Sequence, residues 1–199
     1  IKEIVINHKF TLIGSRTDIS GIFHGPIYYY ISSIPFVLSR GNPIDVSIFY
    51  VALSSLTVFP IYVLGSFFGN KRIGILSALI FAISFQSIVY ARWLSNPPLV
   101  VPLVTLYFVF LYRFIKGSKK DLLFASITLG LLNQSEFLNI VFFPVITALV
   151  IIVYFHKFSS QNKLYLFLCS ILAILVSVGT YIIFDLRHND LIIKSIFLL

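Results

Sequence analysis

The chain has 199 residues, 58% of them hydrophobic and only 11% charged, with a mean hydropathy of +0.98. So much apolar surface excludes an ordinary soluble domain and makes a lipid bilayer the solvent. The net charge of +8 would suit a nucleic-acid binder, but the basic residues sit in short loops between apolar runs, a pattern of membrane topology and not of a phosphate footprint.

Residues 1–24 are polar, and the stretch GIFHGPIYYY then places His24 and a Gly-Pro turn against Tyr28, Tyr29 and Tyr30. The apolar run behind them, Ile27–Leu38, is broken by Pro35 and falls well short of the ~20 residues a span requires. Two placements stay open on composition. If the run spans, residues 1–24 are cytoplasmic; if it lies in the interface, residues 1–45 are all external, with Tyr28–Tyr30 either an aromatic belt or a surface facing substrate.

Four runs qualify as helical spans by length and apolarity: Val46–Phe68, Ile73–Tyr90, Leu99–Phe114 and Leu164–Phe184. Leu138–Phe155 is adequate and Leu122–Leu132 is short. The expected fold is therefore an all-α polytopic transmembrane bundle of about six spans. Its parts are an external loop over 1–45 with an interfacial amphipathic helix at about 27–39, a core over 46–184, and an external loop with the start of the next membrane segment over 185–199. Pro60 and Pro144 should kink their spans, and Gly74, Ala78 and Ala82 form a small-residue row for close packing.

Loops GNKRIG, RFIKGSKKD and HKFSSQNK carry eight Lys/Arg, whereas YARWLSNPP, LNQSEFLN and the DLRHND segment through Lys194 carry three. The first group is expected to be cytoplasmic. With 1–45 external, six of the seven acidic residues gather on the external face beside His24, Arg92 and His188. Cations there suit a lipid-anchored phosphate, and carboxylates suit an acceptor hydroxyl or a divalent ion.

The residues singled out each have a plain alternative. Glu136, in LGLLNQSEFLN, sits between two apolar runs with almost no loop, which is costly unless the carboxylate meets water or a partner; Gln134 could share its cavity. Arg92 is a phosphate ligand or an interfacial anchor with Trp93. Asp185, Arg187 and His188 form a site or a solvated helix end with a local Asp–Arg pair. A transporter or flippase lined by these groups is the rival reading. Such proteins usually show internal repeats and midplane charge, and here there is no repeat and the ionisable groups lie at helix ends.

In order, HGPIYYY, LGSFFGNKRIGILSALIFAIS, YARWLSNPP, LGLLNQSEFL and FDLRH resemble the bacterial and archaeal relatives of the dolichyl-phosphate-mannose protein mannosyltransferases. These are membrane glycosyltransferases of the GT-C fold, a group that includes the aminoarabinose transferase of lipid A. The resemblance implies a polyprenyl-phosphate-linked sugar donor and an active site at the extracytoplasmic surface of the cytoplasmic membrane. It implies that HGP occupies the place of a Lys-Pro-Pro-like element near the donor phosphate. His24, Tyr28, Arg92, Arg187 and His188 are then the donor or phosphate candidates, and Asn96, Gln134, Glu136 and Asp185 line the cavity. No metal-ligand set is evident, though a divalent ion fits the chemistry, and no nucleic-acid partner is expected. Two departures stand out. Asn96-Pro97 replaces an acidic residue found in some members, and the family's catalytic carboxylate is expected upstream of residue 1. The chain contains no Met, opens on a polar segment and stops in SIFLL, so it reads as an internal fragment, inactive by itself.

Overall fold

A computed structural model describes residues 1–154 and 160–197, the side chains of 160–162 excepted. Among the described residues the named elements are all helices: α1 (Lys2–Val5), α2 (Ile27–Leu38), α3 (Pro43–Leu56), α4 (Val58–Phe68), α5 (Lys71–Ile83), α6 (Phe85–Ala91), α7 (Pro97–Ile115), α8 (Lys119–Ser135), α9 (Asn139–Tyr154), α10 (Ser160–Arg187) and α11 (Leu191–Phe197). The chain forms an all-α membrane bundle, as its hydropathy dictates.

Three stretches are long and apolar enough to cross a membrane: Pro43–Phe68, Pro97–Ile115 and Lys163–Arg187. The α5–α6 pair is a fourth if its 61° bend is counted within one span. Six is not reached by this measure. With 17 and 16 residues, α8 and α9 are each only about 25 Å long, against ~30 Å of hydrocarbon. The expected loop through Lys157 and the end of the Leu138–Phe155 run lie outside the described residues, as do residues 198–199.

The breaks have local causes. Pro60 offers no N–H to the Leu56 carbonyl, and the α3–α4 junction falls at Thr57, between them. Pro144, in contrast, does not divide α9. The run Ile73–Tyr90, expected as one helix, breaks at Ser84. There the backbone turns extended (φ −65°, ψ 121°) and the hydroxyl accepts from the Ser87 N–H at 3.5 Å, capping α6. Gly74 and Ala78 are buried against α4 while Ala82 is exposed. A Cβ on Gly74 would stand 2.6 Å from the Tyr62 carbonyl oxygen, so this helix pair closes only over glycine.

Three apolar clusters run through the bundle. Val46, Tyr50 and Leu99 join α3 to the start of α7. Tyr107, Leu111, Ala125, Leu129 and Ala173 join α7, α8 and α10 along their middles. Phe114, Leu122, Leu166 and Cys169 close the opposite end. Helix α2 belongs to the first cluster. Tyr28 stacks on Tyr50 with centroids 5.5 Å apart, the Ser32 and Tyr50 hydroxyls lie 2.6 Å apart, and Phe36 packs beside them. A turn through Arg40 and Gly41, both at positive φ, leads to Asn42, whose side chain caps α3 through the Ile44 N–H. Both ends of α2 therefore lie in the same half of the bundle, with Ile34, Val37 and Leu38 turned outward.

Candidate functional site

Residues 14–25 fold back on themselves. The Gly14 and His24 amides bond the His24 and Ser15 carbonyls at 2.7 and 2.9 Å, and Arg16 pairs with Phe23 as an antiparallel bridge. This loop is fixed to the bundle at three points. The Tyr30 hydroxyl donates to the Thr11 carbonyl at 2.6 Å. The Gly25 N–H donates to the Gln134 carbonyl at 2.8 Å, and a Cβ on Gly25 would stand 2.7 Å from that same oxygen. The glycine of HGP is required because the loop backbone lies directly on the last turn of α8. Finally, Ile22 is buried to 1% exposure and anchors the hairpin.

That docking brings His24 to Glu136, the residue that ends α8. His24 Nδ1 lies 3.4 Å from Glu136 Oε1, and the Phe137 N–H points at the same nitrogen from 3.4 Å. One nitrogen cannot serve both contacts at once: with a proton it donates to the carboxylate, and without one it accepts from the amide. The imidazole is mostly buried, at 13% exposure, while the carboxylate is 34% exposed. With its proton on Nδ1 the loop histidine backs one carboxylate oxygen, and the carboxylate is the more exposed member of the two.

Gln134 and Asp185 are tied into the frame. Gln134 Nε2 donates to the Val176 carbonyl at 2.6 Å, linking α8 to α10. Asp185 is buried, and its two oxygens accept from the Ile192 and Ile193 N–H groups at 2.7 and 3.1 Å, capping α11. It makes no ion pair with Arg187. Among the described residues the side-chain ion pairs are Lys9–Glu3, His24–Glu136 and Arg113–Asp121.

Tyr28 is held by the stack with Tyr50, and burial pushes its phenol above the ordinary value. Arg187 is exposed at the end of α10. His188 is also exposed; its ring stacks on Phe184 at 4.0 Å, with Nδ1 2.8 Å from the Phe184 carbonyl, and Phe184 in turn meets Phe23 of the loop. Arg92 and Trp93 are exposed at the α6–α7 turn, and Asn96 is buried just before α7. The structure therefore brings His24 onto Glu136 and the neighbouring Gly25 onto the Gln134 backbone. It sets Asp185 and His188 beside the same loop, and leaves Arg92 and Arg187 as exposed cations without a bond to the pair. No group of three His, Cys, Asp or Glu side chains converges as a metal site among the described residues.

One neighbour was not singled out from the sequence. Tyr181 is 7% exposed, meets the Phe137 ring edge-on at 6.2 Å, and its hydroxyl has no partner. The spacing Ser177, Tyr181, Asp185 is one polar residue per helical turn, and that periodicity is the signal that would have found it.

A family model described as dolichyl-phosphate-mannose-protein mannosyltransferase matches residues 23–182. No curated protein and no solved structure matches the chain.

Proposed function

The chain belongs to the dolichyl-phosphate-mannose-protein mannosyltransferase family, and from that premise we propose that it serves a sugar transfer from a polyprenyl-phosphate donor at the extracytoplasmic face of the cytoplasmic membrane. Membership makes it a multi-pass membrane glycosyltransferase with a lipid-linked donor. The face, the donor and the roles of individual residues are our reading. The observation that carries it is the His24–Glu136 pair, formed in the half of the bundle opposite the basic turn of Arg113 and Lys116. A positive turn favours the cytoplasmic side, which supports an external position for the pair.

In this reading α2 lies in the outer interface with Ile34, Val37 and Leu38 toward lipid. The acceptor hydroxyl attacks the anomeric carbon, its proton passes to a carboxylate, and the sugar–phosphate bond breaks to leave polyprenyl phosphate. Glu136, held through one oxygen by His24, offers the other to a hydroxyl of sugar or acceptor. Arg92, Arg187 and His188 are the exposed cations and imidazole available to steady the leaving phosphate. Gln134 and Asp185 position the frame, because their polar atoms are already bonded.

The test is sidedness. A cysteine placed at the exposed positions 92 or 188 should react with a membrane-impermeant thiol reagent in intact cells, against a low background because Cys169 is buried. Reaction of position 188 from the cytoplasmic side alone would overturn the external site.

A further inference from the structure

Helices α8 and α9 meet at a break formed by Glu136, Phe137 and Leu138. The Glu136 N–H donates to the Leu132 carbonyl at 3.3 Å, and the Asn139 N–H donates to the Glu136 carbonyl at 3.0 Å. Both flanks of the break are thus bonded locally. The Phe137 N–H turns instead to a side chain of a distant segment, His24 Nδ1 at 3.4 Å. That nitrogen also stands 3.4 Å from Glu136 Oε1. Two consecutive residues of the break therefore compete for one nitrogen, Phe137 as a donor and Glu136 as an acceptor.

A proton decides the competition. With its proton on Nε2, the neutral ring offers the Nδ1 lone pair to the Phe137 N–H. The same lone pair then faces Glu136 Oε1, and two electron-rich atoms repel. The carboxylate can leave, because it is the more exposed of the two groups. When Nδ1 takes a proton from water, the ring becomes a cation and donates to Oε1. A charge-assisted bond of this kind is about twice as strong as a neutral one, so the Phe137 N–H loses its acceptor. We propose that His24 is a proton-driven switch at the α8–α9 break: neutral, it holds the Phe137 amide and releases Glu136; protonated, it releases the amide and holds the carboxylate.

The surrounding elements leave this choice to His24 and Glu136. On α10, Tyr181 meets the ring of Phe137, and both oxygens of Asp185 are taken by the Ile192 and Ile193 amides. His188 rests on Phe184, and Lys194 of α11 donates to the Asn189 carbonyl. Tyr28 of α2 is stacked on Tyr50, the first turn of α9 carries no acidic residue, and Arg16 and Asp18 of the hairpin are exposed. Among the described residues, the ion-pair partner of His24 is Glu136. Histidine is also the side chain that changes charge between about pH 5 and 8. The consequence for transfer, a carboxylate held in acid and freed in base, rests on the role given to Glu136 above; the exchange of partners does not.

The test follows single amides by hydrogen exchange in the full-length protein in nanodiscs, each rate divided by its intrinsic rate at the same pH. From about pH 8 to about pH 5, protection of the Phe137 amide should fall about fivefold, the worth of one hydrogen bond. Protection of Gly25, bonded to the Gln134 carbonyl, and of Asn139, bonded to the Glu136 carbonyl, should stay constant. His24→Asn keeps an acceptor near the place of Nδ1 but cannot titrate, and should leave Phe137 protected at both pH values. Nitrogen-15 spectra of labelled histidine, with the His24 signal identified by its loss in that variant, should show a bare Nδ1 in base and a protonated one in acid. A proton on Nδ1 at about pH 8, or equal protection of Phe137 at both pH values, would overturn the switch. So would a parallel loss at Gly25, which would mean that the whole loop lifts. If His24→Asn does not fold, the Phe137 and Gly25 amides of the unmodified protein decide. Sugar transfer is not the readout, so a failure here is distinct from a failure of the transferase reading.

Discussion

Both ends of the bundle pair a carboxylate of the α8 region with a cationic or ionisable partner, and the two pairs are built in opposite senses. At one end Asp121 is buried, its side chain 5% exposed, while its partner Arg113 is 53% exposed at 3.2 Å. At the other the imidazole of His24 is the buried member and the carboxylate of Glu136 is the more open one. The first pair is local, closing the α7–α8 hairpin, and it directs its acid inward. The second joins a loop to a helix more than a hundred residues away and directs its acid outward. A buried acid facing its own hairpin secures a turn; an outward acid backed by a buried base is available to something else. On the proposed reading, the difference separates an architectural end from the end that carries the chemistry.

The hardest break of this contrast is Gly25→Val. The added side chain meets the Gln134 backbone, which cannot give way as a flexible side chain would, so the loop should lift. A cost of about 3 kcal/mol in thermal unfolding and loss of transfer activity are expected. Next is Glu136→Gln, which keeps the shape but removes the charge. Removing a charge-assisted hydrogen bond to a hydroxyl should lower kcat/KM by roughly tenfold to a hundredfold, with little change in unfolding temperature because the group is partly exposed. Unchanged kinetics would remove Glu136 from the site.

Arg113→Ala tests the architectural end. Leaving Asp121 buried and unpaired should cost about 1–3 kcal/mol, less than for a fully buried pair because Arg113 is half in solvent. Transfer per folded molecule should stay the same, and a kinetic defect would erase the contrast between the ends. The smallest effect is expected of Asp185→Ala. Loss of the α11 cap should cost about 1 kcal/mol, seen as faster amide hydrogen exchange at Ile192 and Ile193.

Much of the fold was legible because each helix is written in a local pattern. Asn42-Pro43 announces the start of α3 and Asn70 caps α5 through the Arg72 and Ile73 amides. The break at Ser84 was not legible, since FAISFQS keeps the apolar periodicity on both sides and only a hydroxyl cap marks the turn. Glu136 drew attention as a carboxylate between apolar runs, and His24 through the Gly-Pro turn behind it. That they touch could not be read, since no local pattern relates residues so far apart. The uses of Gln134 and Asp185 were equally hidden: the same polar side chain suits a cavity wall or a backbone amide, and neighbours in space decide.

The sequence by itself determined the solvent, the helical class and the place of the basic turn, because hydropathy, helix period and charge are properties of consecutive residues. The tertiary structure alone decided that α2 stays in one half of the bundle. It alone set His24 behind Glu136. Each of these depends on which residues from distant segments share a hydrogen bond, and a bilayer makes every such bond count because no water is there to replace it.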